Sequence, residues 1–156
     1  MAVCGPSEAT DQEAGWAEEV GRGLAAAGAV VVCGGLGGVM DAVARGVRSG
    51  GGTVIGILPG ETRAGASEHL SVAVPTGMGE ARNAIIARAA DVVVAIGGAW
   101  GTLSEIALAR KMGTPVIGLG TWELDRRTDG VIMVQTAEQA VRMALSAAGE
   151  VRRWAR

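Results

Sequence analysis

The sequence predicts an α/β fold, a single three-layer domain in which helices cover both faces of a mainly parallel sheet. Three observations point there. Short apolar runs alternate with stretches of helical period along the whole chain. The runs are continuous, as in Ala29-Val30-Val31-Val32-Cys33 and Val92-Val93-Val94-Ala95-Ile96, which marks strands buried on both faces. Glycines cluster where strands give way to helices, at Gly34–Gly38 and Gly97–Gly101. Alternating βα units with such strands build a parallel sheet through right-handed crossovers.

Taken in order, Ala2–Cys4 reads as a short first strand ending in Gly5-Pro6-Ser7. Apolar residues recur at helical spacing over Glu13–Ala27 (Trp16, Val20, Leu24), and Gly28 stands where a helix stops. Ala29–Cys33 is the next strand, and Gly34-Gly35-Leu36-Gly37-Gly38 leads into a helix from Val39 to about Arg48. Thr53–Leu58 returns as a strand. Pro59–Ser67 follows as a polar loop long enough to serve as a lid. Ser71–Val74 is a short strand, Gly79–Ala90 a helix, and Asp91–Ile96 a strand whose turn opens the helix Leu103–Met112. Pro115–Leu119, the loop Gly120–Gly130, the strand Val131–Val134 and a helix from Thr136 to about Ala148 complete the pattern. The arrangement is Rossmann-like. In such sheets the ligand sits beyond the carboxyl ends of the strands, where strand order reverses. That rule brings Cys4–Ser7, Gly34–Gly38, the helix start near Arg82 and Gly97–Thr102 toward one crevice.

With 156 residues the chain makes one domain, spanning 1–150, followed by a tail over 151–156. Its core is aliphatic, because Phe and Tyr are absent, and 26 glycines allow close backbone packing. Fourteen basic against sixteen acidic side chains give a net charge of −2, which argues against a nucleic-acid surface. No run reaches the length of a membrane span, and Met1–Cys4 is too short and lacks the basic flank of a signal peptide. A cytoplasmic protein without a membrane partner is expected. There Cys4 and Cys33 read as small buried residues. His69 is the single histidine, so a His/Cys metal site has no ligand set.

The turn Gly97-Gly98-Ala99-Trp100-Gly101-Thr102 carries the strongest chemistry. A glycine turn between strand and helix lets a bound group approach the main chain, and the helix dipole favours an anion there. Thr102 either caps the helix or gives its hydroxyl to a phosphate. Glu105, three residues on, either closes a Thr-x-x-Glu capping box or acts on another part of the ligand. Gly34, Gly35, Gly37 and Gly38 form a second candidate phosphate turn, although neither turn has dinucleotide or P-loop spacing. Trp100 either fills core or stacks on a flat ring, and Trp122 belongs to a loop that closes over the site or meets another subunit. Arg82 opens a helix, where a cation is unfavourable unless an anion compensates it. Asp41 suits a helix start, while Arg88 and Arg110 read as solvated.

Gly34–Met40, then Arg82, then Gly97–Glu105 together resemble the LOG-like family, formerly labelled "possible lysine decarboxylase", whose signature is P-G-G-x-G-T-x-x-E. The runs Gly56-Ile57-Leu58-Pro59-Gly60, Ala81-Arg82-Asn83 and Gly97–Glu105 are similar to the short-chain branch that includes molybdenum-cofactor carrier proteins. The resemblance implies one of two functions. A nucleoside 5′-monophosphate phosphoribohydrolase would use Arg82 and Glu105 for catalysis and Gly98, Gly101 and Thr102 for the phosphate, with no cofactor. A carrier would bind molybdopterin in the same crevice without turnover. The chain departs from the hydrolase pattern M-H-x-R-K, of which Gly79-Glu80-Ala81-Arg82-Asn83 keeps only the Arg, and Ile96 replaces the signature's Pro. The decarboxylase label has no support, because the sole lysine, Lys111, lies late on a helix. The resemblance also implies a homodimer or a higher even-numbered oligomer, paired through helices bordering the site, with Arg88 or Arg110 able to reach across.

Overall fold

The computed structural model describes residues 1–124 and 130–154. Among them, seven strands form one sheet in the order β4-β3-β2-β1-β5-β6-β7. The strands are β1 (Ala2–Cys4), β2 (Val31–Cys33), β3 (Val54–Leu58), β4 (Val72–Pro75), β5 (Val93–Ile96), β6 (Val116–Leu119) and β7 (Ile132–Val134). Every neighbouring pair is parallel. The helices are α1 (Asp11–Ala26), α2 (Val39–Ser49), α3 (Asn83–Arg88), α4 (Trp100–Lys111) and α5 (Ala137–Trp154). None is long and apolar enough to cross a membrane.

Strand alternation sorts the core into two layers. Val3, Val31, Val94, Ile96 and Leu119 pack with Val20 and Leu24 of α1, Val43 of α2 and Ala140 of α5. Ala2, Cys4, Val93 and Ala95 face the other way, against Ile86 of α3 and Ile106 and Ala109 of α4. The chain runs from β1 outward to β2, β3 and β4, then crosses back to β5 on the other side of β1. Strand order therefore reverses between β1 and β5.

Element boundaries differ from expectation in three informative places. The helix expected over Gly79–Ala90 is a 3₁₀ turn, Gly79–Arg82, running into α3. Arg82 therefore stands at a junction, turned inward. The helix after β5 begins at Trp100, three residues earlier than expected, with Ala99 as its N-cap. Trp100, Gly101 and Thr102 consequently belong to its first turn rather than to a loop. The last helix continues past Ala148 to Trp154. Part of the expected loop Gly120–Gly130, and residues 155 and 156 of the expected tail, lie outside the described residues.

The candidate lid Pro59–Ser67 is tied at both ends. Gly60 and Pro59 carbonyls accept from the N–H groups of Gly77 and Gly79 at 3.0 and 2.9 Å. Ser67 N–H donates to Gly35 at 2.9 Å, and Ser67 Oγ donates to Asp41 Oδ1 at 2.6 Å. Asp41, near the start of α2, thus anchors this loop.

Candidate functional site

A crevice of about 470 Å3 opens at the reversal point between β1 and β5, the place the topology favours and within the usual range for small-ligand pockets. Gly5, Pro6 and Ser7 after β1 form one wall, and Ala99 with Trp100, Gly101, Thr102, Ser104 and Glu105 of α4 the other. Leu36 and Met40 close one end, and Glu80, Arg82 and Asn83 another.

The depth of the polar groups follows from helix geometry. Thr102, Glu105, Ile106 and Ala109 are the buried residues of α4, one face at helical spacing. Ile106 and Ala109 finish that stripe in the core, while Thr102 and Glu105 stand at its crevice end. Among the described residues no side chain caps α4, so the N–H groups that open its first turn lack partners within the helix, and this turn lines the crevice. The capping-box alternative for Thr102 and Glu105 is thereby overturned. Thr102 is already the third residue of the helix, too far in to act as its cap.

Glu105 is 6% exposed and Arg82 5%. Burial pushes the Glu105 carboxyl up from 4.5 to about 7, because ionisation is costly away from water. Arg82 and a hydrogen bond from the Cys4 thiol pull it down, and Glu80 pushes it up. The Cys4 thiol is itself raised well above its ordinary value by burial, with the Glu105 charge and hydrogen bond adding to this. Cys4 is thus more than filler. It ends β1 on the face that packs against α3 and α4. Buried polar atoms without a partner among the described residues gather here as well: Arg82 Nε, Asn83 Oδ1 and Thr102 Oγ1.

Trp100 is 79% exposed at the rim, which excludes the core alternative for its ring. It pairs with Trp122 at 5.4 Å between ring centroids, tilted by 35°, and Trp122 Nε1–H donates to Ala99 O at 3.3 Å. The indole pair thus stands directly beside the opening turn of α4.

The two glycine turns are used differently. Ala99, Trp100, Gly101 and Thr102 line the crevice, whereas Gly34, Gly35, Gly37, Gly38, Gly97 and Gly98 are not among its lining residues. In the first turn only Leu36 reaches it. A Cβ on Gly34 would meet Arg82 Nη2 at 2.8 Å, so that glycine makes room for the guanidinium. Gly38 has φ +62 and lies against Pro6 and Ser7 backbone, and the first N–H of α2, on Val39, already donates to Pro6 O at 3.0 Å. Gly98 lies beneath the Trp122 ring, and Gly97 against Glu13 and Pro6. Of the arginines read as solvated, Arg88 is exposed, but Arg110 folds back to donate to Thr114 O at 3.2 Å.

The segment Cys4–Ser7 lines the crevice as the strand-end rule expects, through Gly5, Pro6 and Ser7, whereas Met40, Glu80, Asn83 and Ser104 were not singled out as site residues. Asn83 had a signal, its place in Ala81-Arg82-Asn83. The pairing of Cys4 with Glu105 had none, since it depends on which strand lies under α4.

Residues 1–150 match the model of the SLOG cluster4 family. The chain belongs to that family. Proteins similar in sequence include an uncharacterised protein of Archaeoglobus fulgidus, 37% identical over 94% of both chains. Among solved structures, the molybdenum cofactor binding protein of the phototrophic bacterium Rippkaea orientalis is 35% identical. It superposes with a TM-score of 0.85 over 93% of this chain and 94% of its own. The molybdenum cofactor carrier protein of Chlamydomonas reinhardtii is 31% identical, with a TM-score of 0.85 over 95% and 96%. The SLOG cluster4 assignment agrees with the LOG-like resemblance and with its short branch.

Proposed function

We propose that this protein binds a phosphorylated pterin, the molybdenum cofactor, and carries it without turnover. The observation that carries this reading is the crevice itself. Its partnerless buried polar atoms and open helix start occur in a chain that aligns end to end with two molybdenum-cofactor binding proteins. The terminal phosphate rests on the first turn of α4, with Thr102 Oγ1 and Arg82 supplying donors. The flat bicyclic ring lies over Trp100. Gly34, Gly35, Gly37, Gly38, Gly97 and Gly98 act by shaping these walls. Glu105, partly protonated near neutrality, holds a ligand hydroxyl or ring atom without repelling the phosphate as a full charge would.

One observation favours hydrolysis of a nucleoside 5′-monophosphate instead. Arg82 and Glu105 are both buried in the crevice, and a carboxyl near 7 suits general acid–base work at neutral pH. One experiment separates the two. The protein is purified anaerobically from a host that makes the cofactor, and molybdenum and pterin are quantified per chain. In parallel, apo protein is incubated with a nucleotide panel and assayed for free base. The carrier reading expects near-stoichiometric pterin and no base release. Base release without pterin would replace it with the hydrolase.

The pairing into dimers belongs to the same proposal. Ile85 on α3 is 36% exposed, and it lines an apolar groove with Ala84, Arg88, Ala89 and Met112. This is the helix surface bordering the site. Light scattering should give at least twice the 15.6 kDa of one chain, and a charged residue at Ile85 should restore the monomer.

A further inference from the structure

Asn83 is the first residue of α3 and is 2% exposed. Its Nδ2 donates to Ser104 Oγ at 2.8 Å, and Ser104 Oγ donates to the carbonyl of Gly101 at 2.7 Å. A serine hydroxyl has one hydrogen, so toward Asn83 it can only accept. This relay, anchored on the backbone of the turn that opens α4, fixes which way the amide faces. Oδ1 is left buried, without a partner among the described residues, on a residue that lines the crevice. Leaving such an acceptor unpaired is costly, so the site is built for a group that satisfies it.

The neighbouring partnerless atoms differ in kind. Arg82 Nε–H can only donate and Thr102 Oγ1 is able to donate, so both suit phosphate oxygens. An amide oxygen does not, because it presents lone pairs to lone pairs. The part of the ligand that faces Asn83 must therefore carry a hydrogen. We propose that Asn83 is a specificity-determining residue, accepting a hydrogen bond from a ring N–H or amino group, with Ser104 as its positioning residue. The crevice then selects a phosphorylated heterocycle with a donor edge over one without it. This rests on the reading that the crevice holds a phosphorylated ring.

Calorimetric titrations of wild type, Asn83→Leu and Ser104→Ala test the assignment. The probes form two pairs: 6-hydroxymethylpterin phosphate with inorganic phosphate, and adenosine 5′-monophosphate with ribose 5-phosphate. Each pair sets a ring-bearing ligand against one without the ring. Asn83→Leu should weaken the better ring-bearing ligand by roughly tenfold or more and leave its ring-free partner within about twofold. Ser104→Ala, which frees the amide to turn, should give a loss of a few-fold in the same ligand only. Should Asn83→Leu fail to fold, Ser104→Ala carries the test. Equal loss for both members of a pair, or no loss in either variant, overturns the assignment. Failure of the pterin reading is seen separately, as wild type preferring the nucleotide. Binding of neither ring-bearing probe overturns both.

Discussion

The chain contains two Thr-x-x-Glu quartets, Thr10-Asp11-Gln12-Glu13 and Thr102-Leu103-Ser104-Glu105, and the fold puts them to opposite uses. The first sits at a true helix end. Thr10 has extended backbone, its hydroxyl accepts from Glu13 N–H at 3.2 Å, and Glu13 Oε2 accepts from Thr10 N–H at 2.8 Å. Both orphan donors are satisfied locally. The second quartet begins inside α4, which Ala99 opens, and its Thr102 and Glu105 side chains are buried. Thr102 Oγ1 has no partner among the described residues, and the buried Glu105 carboxyl is influenced by Arg82 and by Cys4 of β1. The same four-residue pattern thus makes a cap where it straddles a helix start and a site where it lies inside a helix with a strand end beneath it. Neighbourhood, not pattern, decides.

The largest expected contrast is in pH dependence. Glu105 binds a proton more tightly folded, at about 7, than unfolded, at 4.5. Between those values the native state holds more protons, so stability falls as pH rises through the window and stays low above it. The integrated loss is about 3 kcal/mol. Glu105→Gln should remove this slope and exceed wild type in stability above pH 7. Urea unfolding across that range checks both, and a wild-type slope surviving in Glu105→Gln would break the contrast.

Ligand binding gives the next largest effect. Thr102→Val should lower affinity for 6-hydroxymethylpterin phosphate about tenfold while leaving stability unchanged or slightly raised, since it removes an unpaired buried hydroxyl. Trp100→Ala should weaken the same ligand to a similar degree through lost stacking, with little change in melting temperature, because its ring is already exposed. Thr10→Ala should do the reverse. It loses about 1 kcal/mol of stability and leaves affinity where it was.

The architecture was legible because its determinants are local. Continuous apolar strands and glycines at strand ends announce a parallel sheet, and the rule for where such sheets bind ligands gathers Cys4–Ser7, the start of the helix near Arg82 and Gly97–Thr102 at one crevice. Arg82, Glu105, Gly101 and Thr102 were legible as residues gathered there. What stayed hidden depends on which strands become neighbours. Gly34–Gly38 looks as much like a phosphate turn as Gly97–Gly101. Yet Gly38 is pressed on Pro6 and Ser7, and the leading N–H of α2 goes to Pro6, because β1 ends between the two turns. A Cβ on Gly101 would meet nothing within 4 Å, so that turn stays open. Nothing local in the sequence separates these cases, and nothing local pairs Cys4 with Glu105 or buries Arg82 at the joint between a 3₁₀ turn and α3.

A crystal structure of the protein with 6-hydroxymethylpterin phosphate tests the central claim most directly. The account predicts an intact ligand with its phosphate on the main-chain N–H groups of Gly101 and Thr102, within hydrogen-bond reach of Thr102 Oγ1, and its ring against Trp100. A phosphate seated on Gly34–Gly38, or a crevice that the ligand does not enter, would contradict it.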